Sequence, residues 1–146
     1  MKTSTRTRAR RLALQGLYEW QMSKNKPQDI AAQYLLEKET ANIDVAYFRE
    51  ILTQLPLHLD ELEEEIHPLL SRPMEEIDPV ERAVLWLGTY ELVHHPEIPY
   101  RVIINEAVEL VKMFGAEQGH RFINGVMDKI AAKVRAVEVS ARKKES

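Results

Sequence analysis

At 146 residues, with 45% hydrophobic and 29% charged side chains, the chain has the size and composition of one globular domain, which excludes wholesale disorder. Cysteine is absent, so disulfides, thiolate metal sites and cysteine nucleophiles are excluded together, and no apolar run approaches the ~20 residues of a membrane span or follows the N-terminus as a signal sequence would. The expected address is cytoplasmic, and a net charge of −3 argues against indiscriminate binding to nucleic acid by the chain as a whole.

That charge is unevenly spread. Residues 1–18 contain Lys2, Arg6, Arg8, Arg10 and Arg11 and no acid, so they carry +5 and the remainder −8. A basic arm over residues 1–7 is expected to lead into a first helix over residues 7–22, whose Ala9, Leu12, Ala13, Gly16, Leu17 and Trp20 recur at helical spacing and make one buried stripe. At ~100° per residue, Arg8, Arg11 and Gln15 fall on a second stripe away from Ala13, Leu17 and Trp20. Guanidinium forks match phosphate oxygens and stack on unpaired bases, so this face suits single-stranded RNA; a solvated basic face and a membrane-surface helix are the other readings. Tyr18 and Met22 project off the core stripe with Leu14 at its border, which leaves either a second packing face or a partner-binding patch.

A loop ending at Pro27 leads to a helix over residues 28–38 with Ile30, Ala31, Tyr34 and Leu35 inward. Asp44 is a plausible N-cap for a third, carrying Phe48, Ile51, Leu52 and Leu55, which Pro56 breaks or kinks before the pattern resumes at Leu59, Leu62 and Ile66. Asp78-Pro79 is a cap followed by proline at the first helical position, and the helix it opens is apolar almost all round, which marks it as central and buried. It stops at His94-His95-Pro96. A helix over residues 99–114 follows, with Gly115 just past its end, then a last helix over residues 118–137 and a frayed basic tail over residues 138–146. The fold class is all-α, a single domain of two packed helical sub-bundles.

Glu64–His67, Glu91–His94 and Glu117–His120 have the Glu-x-x-His spacing of di-metal carboxylate bundles, but with 23 acids such pairs arise by chance. His67 and His94 stand at helix ends, where imidazole favours the dipole. With no phosphate loop and no nucleophile motif, neither enzymatic activity, a metal nor a cofactor is expected. Gln118, His120, Arg121 and Phe122 lie by the glycines at 115 and 119, where an arginine and an aromatic could offer a phosphate contact and a stacking platform, although Phe122 also has core spacing with Val126 and Met127. Asn105 and Asn124, set inside apolar helical stretches, read either as buried side chains satisfying backbone groups, the favoured reading, or as contact residues.

Several stretches together resemble the NusB family: Arg8-Ala9-Arg10 through Ala13-Leu14-Gln15-Gly16-Leu17-Tyr18-Glu19-Trp20, Asp44-Val45-Ala46-Tyr47-Phe48, Glu81-Arg82-Ala83-Val84-Leu85, Ile104-Asn105-Glu106-Ala107-Val108-Glu109-Leu110 and Phe122-Ile123-Asn124-Gly125-Val126-Met127-Asp128. The match runs in order over about residues 6–135. It implies a non-catalytic antitermination factor that binds the boxA element of ribosomal RNA leader transcripts with NusE, the ribosomal protein that doubles as a transcription factor, and joins RNA polymerase with other Nus factors. Carried over by position, it puts RNA contacts on Lys2, Arg6, Arg8, Arg10 and the region of Gln118, His120 and Phe122. It puts the protein partner on Tyr18 and on the central helix near Glu75 and Glu81. Some members form homodimers that hide the RNA surface. Thr7 stands where the family's arginine run often continues, so modest affinity without NusE is expected. The same fold resembles the N-terminal domain of certain ribosomal RNA cytosine methyltransferases, which leaves a helical RNA-binding or adaptor module as the alternative; a methyltransferase would need a further cofactor domain, and this chain ends at Ser146.

Overall fold

The computed structural model describes residues 3–145, so Lys2 lies outside the described residues. Eight α-helices and three short 3-10 turns account for the regular structure, with no strand among the described residues. The chain divides into two compact units, one ending at Leu59 and one beginning at Asp60.

In the first unit, α1 (Thr5–Met22), α2 (Pro27–Glu37) and α3 (Val45–Gln54) pack on one another. Helix α1 begins two residues before the position expected from its apolar pattern, because Ser4 caps it: the Ser4 hydroxyl accepts from the Thr7 amide at 3.0 Å. Arg6 therefore belongs to a helix rather than a loose arm. Asp44 caps α3 through the Tyr47 amide at 3.0 Å. Helix α3 ends at Gln54, and Pro56 sits in a 3-10 turn over Leu55–His58. The core of this unit holds Leu12, Leu14, Leu17, Ile30, Phe48, Ile51 and Leu52, all buried. Leu14 is thus core and not part of an exposed patch.

In the second unit, α4 (Leu59–Ile66) precedes the central α5 (Pro79–His94), followed by α6 (Tyr100–Phe114), α7 (Gly119–Val134) and α8 (Ala136–Glu145). Asp78 caps α5 by accepting from the amides of Val80 and Glu81 at 2.9 and 3.2 Å, with Pro79 in the first turn. Every residue from Ala83 to Leu92 is buried, as its all-round apolar sequence requires. Helix α6 ends at Gly115 with φ −97°, not in the left-handed conformation.

The expected single last helix with a frayed tail is corrected. The helix breaks at Arg135, whose side chain is buried and donates to the carbonyls of Leu92 (2.7 Å), Ile98 (3.1 Å) and His95 (2.9 Å). The Leu92 and Ile98 carbonyls lie where α5 ends and the chain turns into α6, and the His95 carbonyl accepts from the Ile98 amide at 3.0 Å as well. Arg135 also binds Glu138 at 2.7 Å, and the other Glu138 oxygen accepts from the Tyr100 amide at the start of α6. The tail is therefore the helix α8, anchored by Glu138 and by buried Val139.

Candidate nucleic-acid interface

Helix geometry sorts the N-terminal arginines into two groups. At ~100° per residue, Arg6 and Arg10 share a face with Ala13, Leu14 and Leu17, whereas Arg8, Arg11, Gln15, Tyr18 and Met22 fall within an arc of roughly 80° on another face. The contacts follow this division. Arg10 is only 3% exposed and its guanidinium stands over the Tyr47 ring, 5.4 Å from the centroid. Arg6 lies over the same ring at 4.4 Å and reaches the Asp44 carboxylate at 3.6 Å. Arg10, expected among the RNA contacts, lies on the buried face and points inward, whereas the Arg6 side chain is 42% exposed beside Tyr47 and Asp44.

Arg8 and Arg11 differ. Neither makes an ion pair among the described residues. Together with Gln15 they form one wall of an open groove of about 280 Å³, floored by Leu12, whose other wall is Glu39, Asn42 and Ile43 from the segment joining α2 to α3. The Gln15 amide donates to the Arg11 carbonyl at 3.4 Å, and the side chain is exposed. Farther along the same face, Tyr18 is 42% and Met22 55% exposed. One helix thus presents a cationic half and an exposed apolar half in sequence.

The second unit supplies its own cluster. Helix α7 opens at Gly119, whose amide donates to the Ala116 carbonyl at 3.0 Å, with no acid in its first turn and no side-chain cap, so the positive end of the helix dipole accompanies His120 and Arg121. Gln118 and Arg121 are exposed, and Phe122 is half-buried, between the core and stacking readings. His120 Nδ1 lies 3.3 Å from the Glu117 carbonyl. Asn105 and Asn124 are exposed rather than buried; Asn124 donates to Asp128 at 3.4 Å within its own helix.

Glu75 is exposed in a 3-10 turn over Met74–Glu76 and not on the central helix. Arg82 ties that turn to α5 by donating to the carbonyls of Glu75 at 2.9 Å and Ile77 at 2.8 Å. Glu81 stands in the first turn of α5 beside the start of α7: a Cβ on Gly119 would come within 3.0 Å of Glu81 Oε1 and 2.9 Å of Val111 Cγ1. Only glycine admits this approach. Partial burial, reinforced by the Asp78 charge and opposed by Arg72, pushes the Glu81 carboxyl above its ordinary value. Glu81 and the Gly119–Phe122 segment were expected on separate surfaces; the structure makes them neighbours, through a contact that no sequence spacing signals.

Comparison with known proteins places these features in a family. The family model described as "NusB family" matches residues 7–132. A transcription antitermination protein NusB of Shewanella halifaxensis is 49% identical over 135 residues, 92% of this chain and all of that protein. One from Pseudomonas entomophila is 46% identical over 143 residues, 98% of this chain and 86% of that protein. Among solved structures, T. maritima NusB superposes with a TM-score of 0.73 at 26% identity, covering 91% of this chain and 94% of that one. A complex of the antitermination factors NusB and NusE with double-stranded RNA gives 0.70 at 25% identity, over 85% of this chain and 93% of that one. With the family match covering most of the chain and close relatives matched along nearly their whole length, this chain belongs to the NusB family.

Proposed function

We propose that this chain is a non-catalytic transcription antitermination factor that binds boxA-type single-stranded RNA and NusE, and through them joins RNA polymerase and other Nus factors in the cytoplasm as one RNA-binding domain. Arg8 and Arg11 carry this reading, because they are cations held on a rigid helix beside a groove and left without ion pairs among the described residues. Guanidinium groups so placed take phosphates, and the groove beside them admits a base that is not already paired. Within the second unit, Gln118, His120, Arg121 and Phe122 form a contact of their own, with Arg121 on phosphate and the ring of Phe122 on a base. Arg6 and Arg10 act indirectly, by fixing α1 against Tyr47 and α3.

Tyr18 and Met22 continue the Arg8–Arg11 face and offer apolar contact to NusE; within the second unit, Glu75 and Glu81 offer carboxylates to the same partner. Relatives named as transcription antitermination proteins support the role, and the solved NusB and NusE complex supports the partner. That complex contains duplex RNA, so the test needs both forms. A boxA-type strand and its duplex are titrated with this chain, with and without NusE. The reading requires tighter binding to the single strand and a gain with NusE; equal or tighter binding to the duplex, or no binding, contradicts it.

A further inference from the structure

We propose that the segment joining α2 to α3 is a base-reading element, in which Glu39 and Asn42 recognise one unpaired base bearing an exocyclic amine, seated in the groove beside Arg8 and Arg11. This rests on the RNA-binding reading and goes beyond it by assigning specificity to a segment whose only basic residue is Lys38 at its start.

The segment is held in place at several points. The Asp44 amide donates to the Thr5 carbonyl of α1 at 3.2 Å, Arg6 reaches Asp44 at 3.6 Å, and the turn closes with the Ile43 amide on the Thr40 carbonyl at 3.2 Å. Glu39 is oriented by accepting from the Ala41 amide through Oε1 at 2.9 Å, which leaves its other carboxylate oxygen for a donor from outside. Asn42 is exposed, with no side-chain hydrogen bond among the described residues. An exposed asparagine on an anchored loop costs little entropy to engage, because the backbone that carries it is already fixed.

The charges divide the labour between the two walls. A carboxylate at the rim repels phosphate, so the strand's backbone is steered to the guanidinium wall and a neutral base to the Glu39 and Asn42 wall. A carboxylate accepts from an exocyclic amine, and an asparagine amide pairs with an adjacent donor and acceptor on a base edge. Leu12 and Ile43 give the ring an aliphatic surface. Uracil has no exocyclic amine and is disfavoured. In an RNA duplex the Watson–Crick edge is occupied and the deep, narrow major groove keeps side chains from the other edge, so this pairing favours an unpaired base.

The test uses the full-length protein and a single-stranded RNA that it binds, in a series where each amino-bearing base in turn is replaced by uracil. In the wild type one position is expected to lose about tenfold or more in affinity, the worth of a good base-edge pair. In Asn42→Ala that penalty shrinks to under about twofold while the slope of log affinity against log salt stays unchanged, since no cation is removed. In Glu39→Ala the same position loses discrimination while overall affinity is retained or rises, because a repulsive charge has gone. Circular dichroism confirms that both variants fold. If both variants keep the wild-type position profile, or Glu39→Ala raises affinity uniformly without flattening it, the base-reading role is overturned while RNA binding stands. If the wild type binds no single strand, the parent reading falls as well.

Discussion

Replacing Arg10 by alanine should unfold the first unit more easily while leaving the RNA surface intact, the reverse of what its place in a basic N-terminus suggests. Arg10 is 3% exposed, stands 5.4 Å over the Tyr47 ring and shares a helix face with Ala13, Leu14 and Leu17. A desolvated cation over an aromatic ring is worth ~2 kcal/mol, and loss of the packed aliphatic stem adds a further ~1 kcal/mol. The sum, about 3 kcal/mol, should lower the thermal midpoint by roughly 10 °C in a chain of this size. Urea unfolding followed by circular dichroism should show a lower midpoint with an unchanged m-value. Arg8→Ala, on the open groove, should stay within about 0.5 kcal/mol of wild type. Arg10→Met separates the contributions by keeping most of the stem and removing the charge. Equal, small losses for Arg10→Ala and Arg8→Ala would refute the division of α1 into an anchoring face and a binding face.

Further outcomes follow from the second unit and from α1. Gly119→Ala should destabilise by about 1–3 kcal/mol in urea unfolding, since its Cβ would meet Val111 Cγ1 at 2.9 Å and Glu81 Oε1 at 3.0 Å, whereas Gly125→Ala, with nothing within 4 Å, should stabilise by up to about 1 kcal/mol. Glu81 has a folded-state pKa raised above its ordinary 4.5, so the native state binds the extra proton and stability falls as pH rises from 4.5 through that raised value. Glu81→Gln should flatten this part of the stability-versus-pH curve; an unchanged slope would reject the assignment. Truncating Arg135 to alanine strands the carbonyls of Leu92 and Ile98 and leaves Glu138 without its cation, and a loss of about 3–5 kcal/mol in unfolding experiments is expected. Tyr18→Ala should weaken NusE binding in calorimetry with the thermal midpoint unchanged, because the side chain is exposed in the free protein.

What the sequence disclosed follows the range of the interactions involved. Helix caps are local, so Asp44 and Asp78 were legible from a few neighbouring residues, and the buried α5 could be read from its unbroken apolar run. Ser4 is as local, but the cluster of cations around it masked the cap and gave a loose arm in place of a helical turn. The placement of Arg10 was also available in principle: a heptad step leads from Arg10 to Leu17, yet a charged side chain on that face was read by its charge and not by its angle. Other features depend on contacts distant in sequence. Arg135 meets carbonyls about 40 residues away, Gly119 meets Glu81, and Glu39 and Asn42 face Arg8 and Arg11 across a loop. No spacing rule encodes such meetings. Asn105 and Asn124 misled for the opposite reason, since a helix with one buried face carries polar residues in apolar stretches simply where it faces water.

The central claim, that Arg8 and Arg11 are the helix α1 cations offered to a nucleic-acid backbone, is tested most directly by the salt dependence of RNA binding. Affinity for a boxA-type single strand is measured over a range of salt concentrations for the wild type and for Arg8→Ala/Arg11→Ala. Each phosphate contact on a single strand contributes ~0.7 to the slope of log affinity against log salt, so the double variant should lose about 1.4 from the slope with its fold unchanged. An unaltered slope and affinity in the double variant would contradict the account.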